Sequence, residues 1–134
     1  LNTRNFDKAK KSLAKYRRLG GSADVVYFYT GLIFYNQEDY MGAIANLDKT
    51  SLDDQALHWK GMAYYQLEQY EEALESFSQA LKHQVKPLYL KMMGNANLKL
   101  GNLFEAKICY EKAMDLDPSD EDIKRLLSAT ESLL

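Results

Sequence analysis

The sequence of 134 residues predicts an all-α fold, an α-solenoid of antiparallel helix pairs that ends in a C-terminal capping helix. The prediction depends on an internal repeat, in which a glycine is followed by an alanine twelve residues later. This pair recurs as Gly31 with Ala43, Gly61 with Ala73 and Gly94 with Ala106. Repeats of this length are stacked units that share one core, so we expect function on a surface of the stack.

Large side chains surround each glycine at constant positions. In the second copy they are Leu57 before the glycine, and Tyr64, Tyr70 and Phe77 after it. Within each half of the unit the spacings of 3, 4 and 7 dominate, and these follow one face of a helix, whereas a strand would alternate. Each unit is therefore predicted to be a helix, a tight turn and a second helix.

The helices follow one another as a partial repeat, three full repeats and a cap. The predicted units are the second helix of a partial repeat at 4–20, repeats at 22–53, 54–86 and 87–118, and a capping helix at 119–134. The first unit is assigned as a second helix because Phe6 and Ala9 stand 34 residues before Tyr40 and Ala43. We therefore expect that the chain begins inside a repeat and was cut from a longer protein.

Capping residues predict where several of these helices begin and end. Gly20 ends the first helix, and Asp39 begins the helix that carries the first alanine of the repeat pattern. Asn102 and Glu105 have the spacing of a capping box. Ser119 is expected to open the last helix.

The first repeat is shorter than the second. Gly31 and Gly61 are 30 residues apart, whereas Gly61 and Gly94 are 33 residues apart. A deletion of about four residues near Thr50 to Asp53 removes about one helical turn and keeps the helix faces in phase. We expect the deletion to change the superhelix locally.

At this point the residues resemble the tetratricopeptide repeat, whose unit has about 34 residues and the pattern W-x2-L-G-x2-Y, then A-x3-F, A and P. The matching segments are LHWKGMAYYQLEQYEEALESFSQAL at 57–81 and LYLKMMGNANLKLGNLFEAKICYEKAMDLDP at 88–118. The resemblance implies a right-handed superhelix of helix pairs. It also implies a non-enzymatic scaffold or adaptor that binds a protein or peptide partner.

On each first helix, a second stripe of residues lies one position after the residues that face the core. This step corresponds to a rotation of about 100° around the helix axis. In the tetratricopeptide family, matching positions line a concave face that holds partner peptides. Here they are Phe28, Leu32, Tyr35, His58, Met62, Tyr65, Lys91, Asn95 and Leu98, and Tyr29, Trp59 and Met92 stand beside them.

We expect apolar anchors of the partner to bind among these aromatic and methionine side chains. Lys91, Asn95 and His58 would fix its orientation by hydrogen bonds. The alternative is that these side chains complete the core or are covered by a neighbouring repeat.

A carboxylate clamp for chaperone C-termini occurs in some members of the family and uses Lys and Asn on successive first helices. Lys91 and Asn95 have the spacing of its opening element, but Phe28 and Leu32 stand at the matching sites of the first repeat. Trp59 stands where the clamp needs another Asn. Because carboxylate recognition needs several converging donors, a complete clamp is not expected.

Catalytic and metal-binding motifs are absent from the sequence, which favours a protein that is not an enzyme and has no cofactor. His58 and His83 have no second ligand at a metal-like spacing, and no glycine-rich phosphate loop or G-x-S-x-G is present. Cys109 is expected to be an inert, partly buried thiol. Since no apolar stretch could cross a bilayer, we expect a soluble, cytoplasmic segment without direct membrane insertion.

Charge is segregated along the chain, although the net charge is only −2. The first helix is near plus six, from Arg4, Lys8, Lys10, Lys11, Lys15, Arg17 and Arg18 against Asp7. The C-terminal end is near minus four, from Asp115, Asp117, Asp120, Glu121, Asp122 and Glu131 against Lys124 and Arg125.

Two interpretations of this segregation are open. One is that both ends are solvated faces, and the other is that copies associate end to end. Nucleic-acid binding is not expected at a pI of about 5.7. A rival function is a regulatory or self-assembly domain of a larger signalling, secretion or envelope protein.

Overall fold

The computed structural model describes residues 3–134, with side chains from Asn5 onward, so the side-chain charge of Arg4 lies outside the described residues. Eight α-helices and no β-strand are found in this part of the chain. They are α1 (Thr3–Arg18), α2 (Ala23–Asn36), α3 (Tyr40–Leu47), α4 (Asp54–Gln66), α5 (Tyr70–His83), α6 (Pro87–Lys99), α7 (Leu103–Leu116) and α8 (Glu121–Leu133). Each helix packs against the next, and α2 also contacts α4. The predicted all-α solenoid of helix pairs is confirmed.

The turns inside the three helix pairs share one backbone geometry. Each contains a residue in the left-handed region, with φ values of 62° at Glu38, 60° at Glu68 and 80° at Gly101. This conformation reverses the chain after the first helix and lets the second helix pack antiparallel to it. Two of the three turns therefore place a glutamate where glycine is favoured.

Glycines lie where the two helices of a pair come closest. A Cβ atom at Gly61 would lie 2.7 Å from the ring of Phe77, and one at Gly94 would lie 2.5 Å from the ring of Tyr110. Both rings are fully buried. In these two repeats, the glycine therefore leaves space for the aromatic ring sixteen residues later. The methyl group of an alanine at the same position would occupy that space.

The first repeat departs from this pattern because its second helix is short. Helix α3 has 8 residues, whereas α5 and α7 have 14 each. The Thr50 hydroxyl donates to the carbonyl of Leu47 at 2.7 Å and accepts from the Leu52 amide at 3.2 Å, which stabilises a loop in place of further helix. Leu52 has a φ of 53° and packs against Leu57 in the core.

Helix ends follow the predicted residues in two cases. Gly20 follows α1 with a φ of 94°, and Asp39 caps α3 by accepting from the Gly42 amide at 2.9 Å. Asp53 caps α4 in the same way through the Ala56 amide, also at 2.9 Å.

Two other predicted caps are wrong. Asn102 does not cap α7, because its side-chain amide donates to Oδ1 of the buried Asn97 at 3.3 Å. The last helix begins after Asp120 and not after Ser119. The Asp120 carboxylate accepts from two backbone amides of α8, whereas the Ser119 hydroxyl donates to Asp117.

Candidate functional site

Seven side chains on α2 and α4 form one partly exposed surface, which we call the aromatic face. Its members are Phe28, Tyr29, Leu32, Tyr35, Trp59, Met62 and Tyr65, all predicted from the sequence. Six of them are half-buried, and Tyr29 is the most open with 51% of its surface exposed. The chain's own helices therefore support these side chains from below without sealing them from solvent.

Edge-to-face contacts hold the aromatic face together across two repeats. The Tyr35 ring lies 5.2 Å from the Trp59 ring and 5.3 Å from the Tyr40 ring, with interplanar angles of 70° in both pairs. Phe28 and Tyr29 pack in the same manner at 5.3 Å. Such geometry is the preferred arrangement of aromatic rings, so these side chains are held in place before any partner arrives.

Two tyrosine hydroxyls of this face, those of Tyr35 and Tyr65, are neutral. Burial raises the pKa of Tyr35 and of Tyr65 above the ordinary value of 10.0. Each phenol therefore keeps its proton at neutral pH and offers both a hydrogen-bond donor and an acceptor.

His58, which the sequence assigned to hydrogen bonding with a partner, lies beneath the face among aromatic rings. Its ring centroid is 5.4 Å from that of Trp59, 5.9 Å from that of Phe77 and 5.4 Å from that of Tyr89. Burial first, and then the charge of Lys86, lower its pKa from 6.5 to about 4. His58 is thus neutral at pH 7, and its Nδ1 atom is buried without a hydrogen-bond partner among the described residues.

Lys91 and Asn95 differ from the prediction because both already have partners within the chain. The Lys91 ammonium lies 3.2 Å from the carboxylate of Asp122 on α8. Oδ1 of Asn95 accepts a 2.5 Å hydrogen bond from the buried Tyr110 hydroxyl. The two side chains therefore brace α6 against α7 and α8, and a ligand would compete with Asp122 for Lys91 and with the Tyr110 hydroxyl for Oδ1 of Asn95.

Met92 was predicted to belong to the binding surface, but it lies in the core with 8% of its surface exposed. It packs against Ala73 and Phe77, between α5 and α6. The equivalent positions of the first two repeats, Tyr29 and Trp59, remain accessible. The open aromatic surface thus belongs to the first two repeats.

Two pockets flank Tyr29. The first, of about 420 Å³, lies between α1 and α2 and is mostly apolar. Its lining residues are Ala9, Ser12, Leu13, Tyr29, Leu32, Ile33 and Asn36. The second, of about 210 Å³, is the α2–α4 pocket, and its lining residues are Asp24, Val25, Phe28, Tyr29, Thr50, Ser51, Asp53, Gln55 and Ala56. The predicted binding surface contains Phe28 and Tyr29 but neither Asp24 nor Asp53. The short first repeat was the sequence signal that pointed to this region.

The described residues give little support for metal binding, for a reactive cysteine or for a membrane-spanning helix. From residue 3 to 134, no group of three or more His, Cys, Asp or Glu side chains is placed to hold a metal ion. Cys109 is buried, and burial raises the pKa of its thiol, so the nucleophilic thiolate is disfavoured. None of the described helices has the length and apolar character required to cross a membrane.

Family comparisons match this architecture. Models described as the tetratricopeptide repeat match residues 55–84 and 87–120. The chain contains tetratricopeptide repeats. The two matched tetratricopeptide repeats are α4 with α5 and α6 with α7, whereas the first repeat, with its short α3, lies outside both matches. No curated protein matches the sequence significantly.

Solved structures of similar fold include two tetratricopeptide repeat domains and MamA. The first such domain of Spaghetti (RPAP3), bound to the HSP90 peptide SRMEEVD, has 21% identity and a TM-score of 0.77, with 82% of this chain and 91% of that chain covered. The second domain of human RPAP3, in complex with the HSP70 peptide SGPTIEEVD, has 24% identity and a TM-score of 0.76, with 81% and 95% covered. MamA has 16% identity and a TM-score of 0.86, with 97% and 79% covered.

Proposed function

We propose that this chain is an adaptor or scaffold module that binds a peptide segment of another protein on the aromatic face. The observation that carries the proposal is the contact between Tyr35 and Trp59, which presents aromatic side chains of two repeats on one partly open surface. Tyrosine and tryptophan are enriched among residues that dominate binding energy, because they offer large contact area with few rotatable bonds. The proposal includes no catalytic step.

The similar RPAP3 domains support a peptide as the ligand, since both were solved with bound peptides. Those two peptides are acidic and end in EEVD. In this chain, the two candidate cationic donors are His58, which is neutral, and Lys91, which is already paired with Asp122. We therefore propose the same kind of ligand, an extended peptide, but with apolar anchors in place of a clamped C-terminal carboxylate.

Binding can be tested with a phage-displayed library of random 12-residue peptides selected on the immobilised chain. Selected peptides should change the fluorescence of Trp59, which is the single tryptophan of the sequence. Trp59→Ala and Tyr35→Ala should each weaken binding by more than about tenfold, since central aromatic anchors contribute about 2 kcal/mol or more.

The matched control is Phe104→Ala on α7, which removes an aromatic side chain that is 70% exposed and lies outside the aromatic face. It should leave affinity unchanged, and circular dichroism should show equal helicity in all variants. Selected peptides whose affinity is insensitive to Trp59→Ala and Tyr35→Ala would contradict the proposal.

End-to-end association is the second candidate that the charge segregation favours. The exposed lysines and arginines of α1 would face the acidic C-terminal end of another copy. Part of that acidic charge is already neutralised within the chain, because Asp122 pairs with Lys91 and Arg125, and Glu121 pairs with Lys124. Light scattering at low and high salt tests this candidate, and a monomer at all salt concentrations would exclude it.

A further inference from the structure

The α2–α4 pocket is continuous with the aromatic face. Phe28 and Tyr29 belong to both, and Gln55 of the pocket lies on α4 one turn before Trp59. A peptide that covers Tyr29 and Trp59 would therefore pass the mouth of this pocket. Its chemistry should influence which peptides are accepted.

The pocket exists because α3 ends early. Thr50, Ser51 and Asp53 line it, and all three belong to the loop that replaces the last turns of α3. In the other two repeats, a second helix of 14 residues continues beside the first half of its partner. The short first repeat thus opens a cleft beside α2 that the fold does not otherwise require.

Two carboxylates and two aromatic rings dominate the lining. Asp24 is exposed and makes no ion pair with any residue from 5 to 134, and neither does Asp53. One oxygen of Asp53 accepts from the Ala56 amide, which leaves the other oxygen available. The rings of Phe28 and Tyr29 and the side chain of Val25 supply the apolar wall.

Positive charge on the neighbouring first helices is scarce. Helix α2 contains no Lys or Arg, and Lys60, the one cation of α4, lies 2.7 Å from the carboxylate of Asp48. On α6, Lys91 is paired with Asp122, and Lys99 is the last residue of the helix. The charged side chains that line the α2–α4 pocket itself are those of Asp24 and Asp53, whereas Lys49 of the adjoining loop lies over the ring of Tyr27, 5.2 Å from its centroid.

We infer that the partner segment carries a lysine or arginine next to its apolar anchor, and that this basic side chain enters the α2–α4 pocket. The inference rests on the proposed function. The aliphatic stem would lie on Val25 and Phe28, the ring of Tyr29 would face the cation, and the charged group would reach Asp24 and Asp53. A volume of about 210 Å³ suits one long side chain. An acidic segment would meet unfavourable charge at the same place.

The test repeats the 12-residue library selection on the wild type and on the double variant Asp24→Asn/Asp53→Asn. Asparagine keeps the size of each side chain and is also a good helix cap at position 53. The matched control is Glu71→Gln/Glu72→Gln, which removes the same charge from exposed positions on α5. Wild-type and control selections should be enriched in Lys or Arg beside an aromatic or aliphatic residue, and the double variant should lose this enrichment.

One selected peptide and its analogue with norleucine in place of the basic residue then distinguish charge from packing. Asp24→Asn/Asp53→Asn should weaken binding of the parent peptide by about threefold to tenfold, because ion pairs with exposed carboxylates are screened by solvent. The norleucine analogue should bind the wild type and the double variant equally.

Other outcomes would overturn the inference in recognisable ways. Peptides that need Trp59 but show no basic enrichment, or that ignore the double variant, would refute the basic pocket and leave the proposed function standing. Selection of no peptide that depends on Trp59 would refute both. Self-association of the wild type that Asp24→Asn/Asp53→Asn abolishes would assign the pocket to the basic helix α1 of a second copy instead.

Discussion

The indole of Trp59 packs edge to face on the ring of Tyr35, with ring centroids 5.2 Å apart and ring planes inclined by 70°. Tyr35 lies on α2 and Trp59 on α4, so the contact joins two successive repeats at the surface where we propose that a partner binds. The same pair thus contributes to inter-repeat stability and to preorganisation of the binding surface.

This contact should be measurable as an energetic coupling. A double-mutant cycle with Tyr35→Leu and Trp59→Leu should give a coupling energy of about 0.5–1.5 kcal/mol in urea unfolding. The parallel cycle with Tyr35→Leu and Phe104→Leu should be additive, because Phe104 lies on the exposed side of α7. Additivity in the first cycle as well would show that the ring contact does not stabilise the fold.

Gly94→Ala should destabilise the chain by about 1–3 kcal/mol, although alanine is the better helix former. The new methyl group would lie 2.5 Å from the ring of Tyr110, which is fully buried and cannot move aside without disturbing the core. Urea unfolding measures the change. Ser128→Ala, at an exposed position of α8, should leave the unfolding free energy within about 0.5 kcal/mol of the wild type. An unchanged midpoint for Gly94→Ala would mean that the two helices can separate at little expense.

Glu68→Gly should stabilise the chain by about 0.5–1 kcal/mol, the opposite of what glycine usually does. Glu68 is exposed and has a φ of 60°, and the equivalent turn of the third repeat uses Gly101 with a φ of 80°. Thermal or urea unfolding checks the sign. Glu72→Gly, inside α5, serves as the comparison and should lower stability by about 1 kcal/mol. A loss of stability at both positions would indicate that the turn tolerates glutamate without strain.

Stability should fall as the pH is lowered from about 7.5 to 5, in part because of His58. The unfolded chain takes up a proton near pH 6.5, whereas the folded chain does so only near pH 4, so acid favours the unfolded state across this interval. Because the ring is only partly shielded from solvent, we expect a loss of about 1–2 kcal/mol from this group. Urea unfolding at a series of pH values measures it.

His58→Gln should flatten this pH dependence, while His83→Gln, at an exposed histidine, should retain it. Identical slopes for the wild type and His58→Gln would show that the half-buried ring of His58 is protonated as readily in the folded chain as in the unfolded one.

Local pattern was enough to predict the helix pairs and most of the aromatic face. The sequence shows a large residue sixteen positions after the glycine of each repeat. In the second and third repeats of the structure, that residue is an aromatic ring that packs over the glycine. Helical periodicity predicted the stripe that contains Tyr35, with Tyr29 and Trp59 beside it, and the resemblance to the tetratricopeptide repeat implied that this surface faces a partner.

Side-chain partners were less predictable. Lys91 and Asn95 looked available because their spacing fitted a ligand site, but Asp122 lies 31 residues beyond Lys91, and Tyr110 lies 15 residues beyond Asn95. Asn97 stands three residues after the glycine of its repeat, where the first two repeats have Phe34 and Tyr64, and it is buried and accepts a hydrogen bond from Asn102. Pairings of this kind depend on how α6, α7 and α8 are stacked.

The sequence by itself determined that this chain is a stack of helix pairs, since the periodicity of apolar residues and the recurring small residues specify which faces must meet. Only the tertiary structure decided which side chains of that stack stay accessible. Met92 became core and Trp59 remained at the surface, although they occupy equivalent repeat positions, and the early end of α3 opened a pocket beside Tyr29. Accessibility depends on what every neighbouring helix covers, and that is a property of the packed assembly that no local pattern contains.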